Sequence, residues 1–278
     1  MVSLLTVLLI LPIAPFSARM SKGFTVFIAI VFAATTAYSW LAFPFSADAP
    51  LKVYFQQQIS VSDNTTITSL VGVGRYLQHD VVSKLPSAQH PHANVTCGIP
   101  ADGRRQGLTT CTWNSGEALV PSSGSQGKGD WLDFKAIRLE GDVGLNRAQI
   151  TLSGKNTRGC KVYFDNVNIT GFSVHGGSGA MQTGYEMPED GVKEIRLWSR
   201  KWGNKFKLDV EWENPSPETK VTGRVGCDWA EYESGSIGLD LPTAKIPALE
   251  EALTFLPKWA VVTKLASGLV EVTSKFEI

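Results

Sequence analysis

Alternation of apolar and polar positions is the main pattern along most of this chain. Residues 206–212 show it most clearly, with apolar side chains at Phe206, Leu208, Val210 and Trp212. A period of two is typical of a strand with one solvated face. Similar runs predict further strands at residues 51–56, 148–152, 160–165, 192–198 and 221–229. Because clusters of Gly, Pro, Ser and Asn separate these runs, the pattern predicts a mainly β protein, an antiparallel β-sandwich.

Two segments instead show helical spacing. In residues 75–85 a leucine or valine recurs at every fourth position, and Pro86 follows. Residues 248–256 place three leucines on one side of a helix, between Pro247 and Pro257. Proline just inside the start or just beyond the end of a periodic segment marks a helix boundary. We therefore expect two short helices beside the strands.

A long apolar run precedes the alternating part of the chain. Residues 24–45 are uncharged and follow Arg19 and Lys22, whereas the first acidic residue is Asp48. About 20 apolar residues span a bilayer as a helix, and basic flanks stay cytosolic. We therefore predict a cytosolic loop at residues 17–23, a transmembrane helix at 24–45, and a luminal domain at 46–278. The lipid bilayer is the first expected partner.

The chain begins with a second, shorter apolar run. Residues 2–16 carry no charge but contain Pro12 and Pro15. The run is too short to span a bilayer, and it lacks the basic start of a signal peptide. We interpret residues 1–16 as a truncated transmembrane helix, so that the chain is expected to be a gene-model fragment or degenerate copy. A signal-like start is the alternative.

Charge excludes one class of partner. Apart from Arg19 and Lys22, the 26 basic residues lie in residues 46–278 together with all 26 acidic residues. Nucleic-acid binding requires a basic footprint, which this balance does not provide. We expect no nucleic-acid partner.

The four cysteines all follow the predicted span. Alternation places Cys160 and Cys227 on the apolar faces of their strands, so we pair these two, and we pair Cys97 with Cys111 across a short loop. Four cysteines allow three pairings, and buried free thiols are the alternative. A zinc site is not favoured, because no two cysteines have the required close spacing.

Three sequons agree with a domain in the secretory pathway. Asn64, Asn94 and Asn168 each stand two residues before threonine, and none is followed by proline. This pattern is the acceptor for N-glycosylation. Ordinary asparagines in loops are the alternative for each of the three.

Candidate catalytic residues are few. His90 and His92 flank a proline in a Pro-rich loop, and we interpret them as exposed loop residues, because a metal site needs three or four converging ligands. Glu250 and Glu251 are interpreted as a solvated face near a helix start. No H-E-x-x-H or G-x-S-x-G motif occurs. We therefore assign no catalytic residue, no metal ligand and no cofactor to this chain.

Tryptophans are the remaining candidates for binding. Trp212 and Trp229 share strand faces with aliphatic residues, so both are predicted to lie in the core. Trp198 and Trp202 are possible ligand-facing residues, and Trp198 has neighbouring arginines that favour a cation–π contact.

The chain resembles a known family in eight segments that occur in the family's order. They are residues 11–16, 41–46, 51–57, 85–88, 154–158, 194–200, 246–249 and 259–264. Together these segments are similar to the C-terminal part of fungal vacuolar membrane proteases. That family has a luminal zinc aminopeptidase-like domain near its N-terminus, then a membrane bundle and a luminal β-rich domain.

The resemblance implies a vacuolar membrane location with the C-terminal domain in the lumen. The family's zinc ligands and catalytic glutamate match no position of this chain, so zinc is expected only in the full-length protein. The expected function is a non-catalytic domain, accessory to a peptidase domain in cis or in trans. The alternatives are a free-standing module that binds glycan or peptide, a subunit of a split peptidase, and an intrinsic hydrolase.

Overall fold

The chain divides into two compact units between Phe45 and Ser46. The computed structural model describes residues 21–99, 107–115, 131–139, 145–155, 157–175, 187–213, 220–230, 246–264 and 268–278. The segment predicted as a truncated helix, residues 1–16, lies outside the described residues.

Helix α1 (Lys22–Leu41) lies in the first unit. Ser21 caps its start by accepting a hydrogen bond from the Phe24 amide, at 3.4 Å. The sequence predicted that this helix extends to Phe45, but it ends earlier, at Leu41. The reason is the proline at position 44, which disfavours helical geometry at the residue before it. By length and composition α1 is able to cross a membrane, although a signal sequence meets the same criteria.

The second unit is mainly β. Its described residues form these strands: β1 (Leu51–Ser60), β2 (Thr65–Gly72), β3 (Thr96–Gly98), β4 (Thr109–Asn114), β5 (Leu132–Leu139), β6 (Leu145–Gly154), β7 (Gly159–Phe164), β8 (Gly171–Val174), β9 (Glu194–Trp198), β10 (Phe206–Glu213), β11 (Thr222–Trp229), β12 (Ala260–Lys264) and β13 (Val270–Glu277). Every run that the alternation predicted overlaps one of these strands.

The larger sheet is mixed, not antiparallel as predicted. Its order is β3-β4-β2-β1-β13-β11-β7-β9, and β12 also pairs with β1. Strand β1 is long enough to take two parallel neighbours in succession, with Leu51 opposite Ala260 on β12 and Gln57 opposite Val270 on β13. The alternation of side chains is the same in parallel and antiparallel strands, so the sequence pattern does not reveal strand direction.

The smaller sheet is antiparallel and has the order β5-β6-β10-β8. Its strand β10 buries the four apolar residues that the alternation assigned to the core. Strand β5 contacts β11 and β13 of the larger sheet, and β6 contacts β7 and β11. Trp131 meets Trp229 edge to face, with ring centroids 5.4 Å apart. The core therefore includes side chains from both sheets.

The predicted helix at residues 75–85 is broken into short pieces. It consists of α2 (Gly74–Tyr76), a π turn (Leu77–Val81) and a 3₁₀ turn (Val82–Lys84), and α3 (Pro86–Gln89) follows. Consecutive β-branched residues weaken α-helical geometry in such a segment. The apolar positions of the pattern are still buried.

The second predicted helix is present as α4 (Pro247–Phe255). Its buried face differs from the prediction, because Leu253 is 54% exposed while Ala248, Leu249 and Ala252 are buried. The alanines allow the helix to lie close to its neighbours on that side.

Candidate functional site

Both predicted disulfides are present in the structure. Cys160 lies directly opposite Cys227 in the β7–β11 register, and Cys97 lies opposite Cys111 in the β3–β4 register. Each bond therefore joins neighbouring strands of the larger sheet. Cys160, Cys227 and Cys111 are fully buried.

The three sequon asparagines lie at exposed positions. Asn64 and Asn94 adopt left-handed backbone conformations, with φ of 52° and 49°, which asparagine tolerates better than most residues. Asn168 is exposed, and its amide donates to the carbonyl of Asp190 at 2.7 Å. Glycosylation of these residues stays a prediction.

One face of the larger sheet carries polar side chains over several neighbouring strands, and we call it the polar face. It is formed by Gln56 and Gln58 on β1, Glu271 on β13, Arg224 and Asp228 on β11, Lys161 and Tyr163 on β7, and Glu194, Arg196 and Trp198 on β9. Because side chains alternate along a strand, the residues between these belong to the opposite, core-facing side.

A buried charge cluster lies at the centre of the polar face. The Lys161 Nζ atom is 3.6 Å from Glu271 Oε1 and 3.7 Å from Asp228 Oδ2. Glu271 also accepts hydrogen bonds from the Tyr163 hydroxyl at 2.8 Å and from the Gln58 amide at 3.1 Å. Lys161 lies on the side of β7 opposite the core, yet only 5% of its side chain is exposed. Sequence alone gave no signal for this cluster.

Burial shifts the proton equilibria of this cluster. It raises the pKa of the Tyr163 hydroxyl far above its ordinary value, and the negative charge of Glu271 raises it further. Burial also raises the pKa of the Asp228 carboxyl, although the adjacent Lys161 ammonium opposes that shift. Tyr163 therefore stays protonated and donates its hydrogen bond to Glu271 at any physiological pH.

A broad open cleft of about 840 Å³ extends over the polar face from β3 to β9. On its β9 side Glu194 accepts a hydrogen bond from Arg196 at 2.7 Å. The Arg224 guanidinium lies over the Tyr163 ring, 4.4 Å from its centroid. Charges of both signs thus line the cleft beside uncharged amide and hydroxyl groups.

A smaller recess lies at the β9 edge of the polar face, and we call it the tryptophan cleft. It has a volume of about 200 Å³ and is lined by Thr157, Arg158, Gly159, Trp198, Trp202, Asp228, Trp229 and Ala230. The two residues predicted to face a ligand, Trp198 and Trp202, are 66% and 45% exposed. Trp229 is buried and donates to the Lys155 carbonyl at 3.0 Å, as befits a core residue.

The arginine that stacks on a tryptophan in this cleft differs from the predicted one. We expected a neighbouring arginine over Trp198, whereas the guanidinium of Arg158 lies over the Trp202 ring, 4.0 Å from its centroid. Arg158 precedes β7, and Trp202 follows β9, so the antiparallel pairing of those strands brings them together. Sequence reasoning also missed Asp228 as a residue of this cleft.

The remaining sequence candidates are distributed elsewhere. The His90 and His92 rings are 5.6 Å apart in an exposed loop. Across the described ranges, no group of three or more His, Cys, Asp and Glu residues is arranged to hold a metal ion. Glu251 was expected to be solvated, but it is half-buried and accepts a hydrogen bond from the Ser87 amide at 2.6 Å, which links α4 to α3.

A second polar cluster lies on the smaller sheet. Asp209 is 2.7 Å from His175 Nε2 and accepts from the Gln149 amide at 2.8 Å. Burial tends to raise the pKa of Asp209, but these two hydrogen bonds outweigh it and hold the pKa below its ordinary value. The pair lies on the exposed side of β10.

Comparison with solved structures gives only distant likenesses. The yeast delta-COP-I mu-homology domain is 10% identical with a TM-score of 0.30, over 82% of this chain and 95% of that one. The same domain in complex with a Dsl1 WxWxV peptide is 12% identical with a TM-score of 0.26, over 82% and 94%. Scores this low support no argument about this chain.

Comparison with known sequences is far more specific. The chain is 45% identical over 276 residues to the vacuolar membrane protease of Schizophyllum commune, and 39% identical over 318 residues to that of Coprinopsis cinerea. Each alignment covers 99% of this chain, but only 28% and 31% of those relatives. The family model for the vacuolar membrane protease C-terminal domain matches residues 51–272. The chain therefore belongs to the vacuolar membrane protease family and contains its C-terminal domain.

Proposed function

We propose that this chain is a non-catalytic, membrane-anchored luminal domain that assists peptide hydrolysis by the rest of a vacuolar membrane protease. The observation that carries this proposal is the match of residues 51–272 to the family's C-terminal domain. The chain spans less than a third of the length of the relatives it matches. The proposal assigns hydrolysis to the part of those relatives that lies outside the match.

Three features support a luminal position beside a membrane. Helix α1 has the length and composition of a membrane span, and a basic residue, Lys22, stands at its start. Two disulfides favour an oxidising compartment, since cytosolic thiols are kept reduced. The sequon asparagines are exposed. The contact between the two sheets supports describing the domain as a β-sandwich.

A peptidase assay tests the non-catalytic part of the proposal. The purified full chain and the complete Schizophyllum commune relative are each incubated with a panel of fluorogenic aminoacyl peptides, with and without a zinc chelator. We expect hydrolysis only by the complete relative, and loss of that activity on chelation. Chelator-sensitive hydrolysis by this chain alone would make it an intrinsic hydrolase and overturn the proposal.

A complementation assay tests the accessory part. The relative's C-terminal domain is removed, and this chain is added in trans during membrane purification. We expect peptide turnover to fall on removal and to recover in part on addition. An unchanged turnover after removal would exclude an accessory role. Co-purification of this chain with a separately encoded peptidase would instead identify a split enzyme.

The tryptophan cleft favours a binding role as a second function. Trp198 and Trp202 expose large ring areas beside buried polar atoms, which is the composition of small-molecule sites. Such a role is compatible with the accessory one, because a domain that holds part of a substrate also presents it.

A further inference from the structure

We propose that the tryptophan cleft binds one neutral pyranose ring of a glycan. This inference deepens the binding role and does not depend on any contribution to peptide hydrolysis. It rests on the cleft's floor, its unpaired polar atoms, its charge balance and its size.

The floor of the cleft is a glycine. Trp198 on β9, Gly159 on β7 and Asp228 on β11 lie opposite one another in a row across three strands. A Cβ atom on Gly159 would stand 2.3 Å from Asp228 Oδ1, so the carboxylate leans over the position that a side chain would occupy. The missing side chain therefore gives the Asp228 carboxylate room to approach β7, in the same row as the exposed ring of Trp198.

Two polar atoms of the tryptophan cleft have no hydrogen-bond partner among the described residues. They are the acceptor Asp228 Oδ1 and the donor Arg158 Nε, and both are buried. Buried polar atoms are normally paired, and leaving them unpaired costs free energy. A ligand hydroxyl is both donor and acceptor, so a ligand with several hydroxyl groups carries the kinds of partner that both atoms lack.

The charges around the cleft favour a neutral ligand. The Arg158 guanidinium already lies over Trp202 at 4.0 Å, and Lys161 stands 3.7 Å from the Asp228 carboxylate. A cationic ligand would meet these two positive groups, whereas an anionic one would meet Asp228. Because the fixed charges are balanced in this way, an uncharged ligand with many hydroxyl groups suits the cleft best.

The shape favours a single ring. The Trp198 side chain is exposed and offers a flat apolar surface to the C–H face of a sugar. The cleft holds about 200 Å³, which is below the roughly 300 Å³ at which pockets for drug-sized ligands begin. A peptide segment would need a longer groove, so we favour the pyranose ring.

Calorimetric titration of the full chain tests this assignment. The detergent carries no sugar headgroup, and the probes are mannobiose, cellobiose and maltose, with acetyl-tetraalanine amide as a neutral peptide. We expect at least one disaccharide to bind and the peptide not to bind. Absence of binding by every disaccharide, or binding by the peptide alone, overturns the proposal.

Variants locate the binding site. Trp198→Ala is expected to weaken disaccharide binding about fivefold, since an aromatic contact contributes ~1 kcal/mol. Gly159→Ala should abolish it, because the new methyl group fills the floor and displaces Asp228. Phe255→Ala removes an exposed aromatic on α4 outside the cleft and should leave affinity unchanged.

Folding is checked separately from binding. Each variant is compared with the wild type by thermal unfolding, and Arg158→Lys serves as a milder change that keeps the charge but removes the Nε donor. We expect this variant to bind more weakly than the wild type. If wild type, Trp198→Ala and Arg158→Lys bind the disaccharide with the same affinity, the sugar binds elsewhere. That result would overturn the assignment.

Discussion

Lys161 lies between two core residues of β7 and is itself buried on the opposite side of the strand. Its ammonium group is 3.6 Å from Glu271 and 3.7 Å from Asp228. Nζ has no hydrogen-bond partner among the described residues. The lysine therefore acts mainly through its charge, which offsets two carboxylates that would otherwise repel each other in a region of low dielectric constant.

Removing that charge should destabilise the domain. Lys161→Met leaves two uncompensated carboxylates, and loss of one partner from a buried ionic cluster costs about 3 kcal/mol. The loss of unfolding free energy, measured by denaturant titration, should be smaller in acid, where the Asp228 carboxyl, whose pKa is raised, takes up a proton. Lys275→Met is the control, because its ion pair with Asp63 is exposed and should matter little. Equal losses in both variants would contradict the predicted role.

Deprotonation of Asp228 should lower the free energy of unfolding as pH rises. Its folded-state pKa is raised above the ordinary value of 3.8, so the folded state binds its proton more tightly than the unfolded chain does. The stability from the protonated carboxyl is present below 3.8 and is lost as pH rises through the raised value. Asp228→Asn should therefore gain unfolding free energy relative to wild type as pH is raised across that window.

Asp209 serves as a control for this titration, because its pKa is shifted in the opposite direction. The pKa of Asp209 is lowered in the folded state, so its contribution is present at higher pH and is lost as pH falls. Asp209→Asn should lose unfolding free energy relative to wild type as pH rises through the lowered pKa to 3.8, which lies below the Asp228 window, and should show no further change above it. If the two variants change in the same direction, the assigned pKa shifts are wrong.

Strands β7 and β11 bury side chains on both of their faces. One face of each strand is apolar and includes the joined cysteines Cys160 and Cys227, while the other faces the charge cluster. Gly226 on β11 leaves room for the neighbouring strand, since a Cβ there would stand 2.9 Å from Thr273 Cγ2. These paired strands thus connect the core to the polar face.

The two disulfides should contribute unequally to stability. Cys160–Cys227 closes a segment of 67 residues, whereas Cys97–Cys111 closes one of 14. Loop-closure entropy predicts about 4 kcal/mol for the longer and about 3 kcal/mol for the shorter. Replacing Cys160 and Cys227 by alanine should lower the unfolding free energy more, since buried sulfur packing is also lost. A greater loss from the Cys97 and Cys111 pair would contradict this order.

At the scale of the whole molecule, the described residues form one apolar helix and one domain with two sheets. The proposed orientation places the entire second unit, residues 46–278, on one side of a membrane. All four cysteines and all three sequons belong to that unit. Oxidation, glycosylation and protection from external protease should therefore occur together.

Glycosylation of the endogenous protein tests this orientation. Before endoglycosidase treatment, each single variant should run lower than the wild type by the mass of one glycan; the variants are Asn64→Gln, Asn94→Gln and Asn168→Gln. After treatment, the variants and the wild type should have the same apparent mass. Asn214→Gln is the matched control, because a proline follows Asn214 and prevents modification. In sealed vacuoles the domain should resist added protease until detergent is present. Digestion of the domain without detergent would place it in the cytosol and refute the proposal.

The sequence by itself predicted six of the thirteen described strands and the helices α1 and α4, because their signal is local. Alternation located these strands and put Cys160 and Cys227 on buried faces, so their pairing followed from the pattern, while Cys97 and Cys111 were paired across a short loop. Apolar periodicity located α4 and the buried positions of residues 75–85. A local pattern reports which face of an element avoids water, and this is sufficient for such predictions.

Only the tertiary structure decided how distant strands meet. Alternation does not distinguish parallel from antiparallel neighbours, so the pairing of β1 with β12 and β13 was not predicted. The burial of Lys161 and the stacking of Arg158 on Trp202 depend on residues that other strands bring close. The tryptophan cleft and the charge cluster exist because pairing of β7 with β9 and β11 brings together side chains that are far apart in the chain.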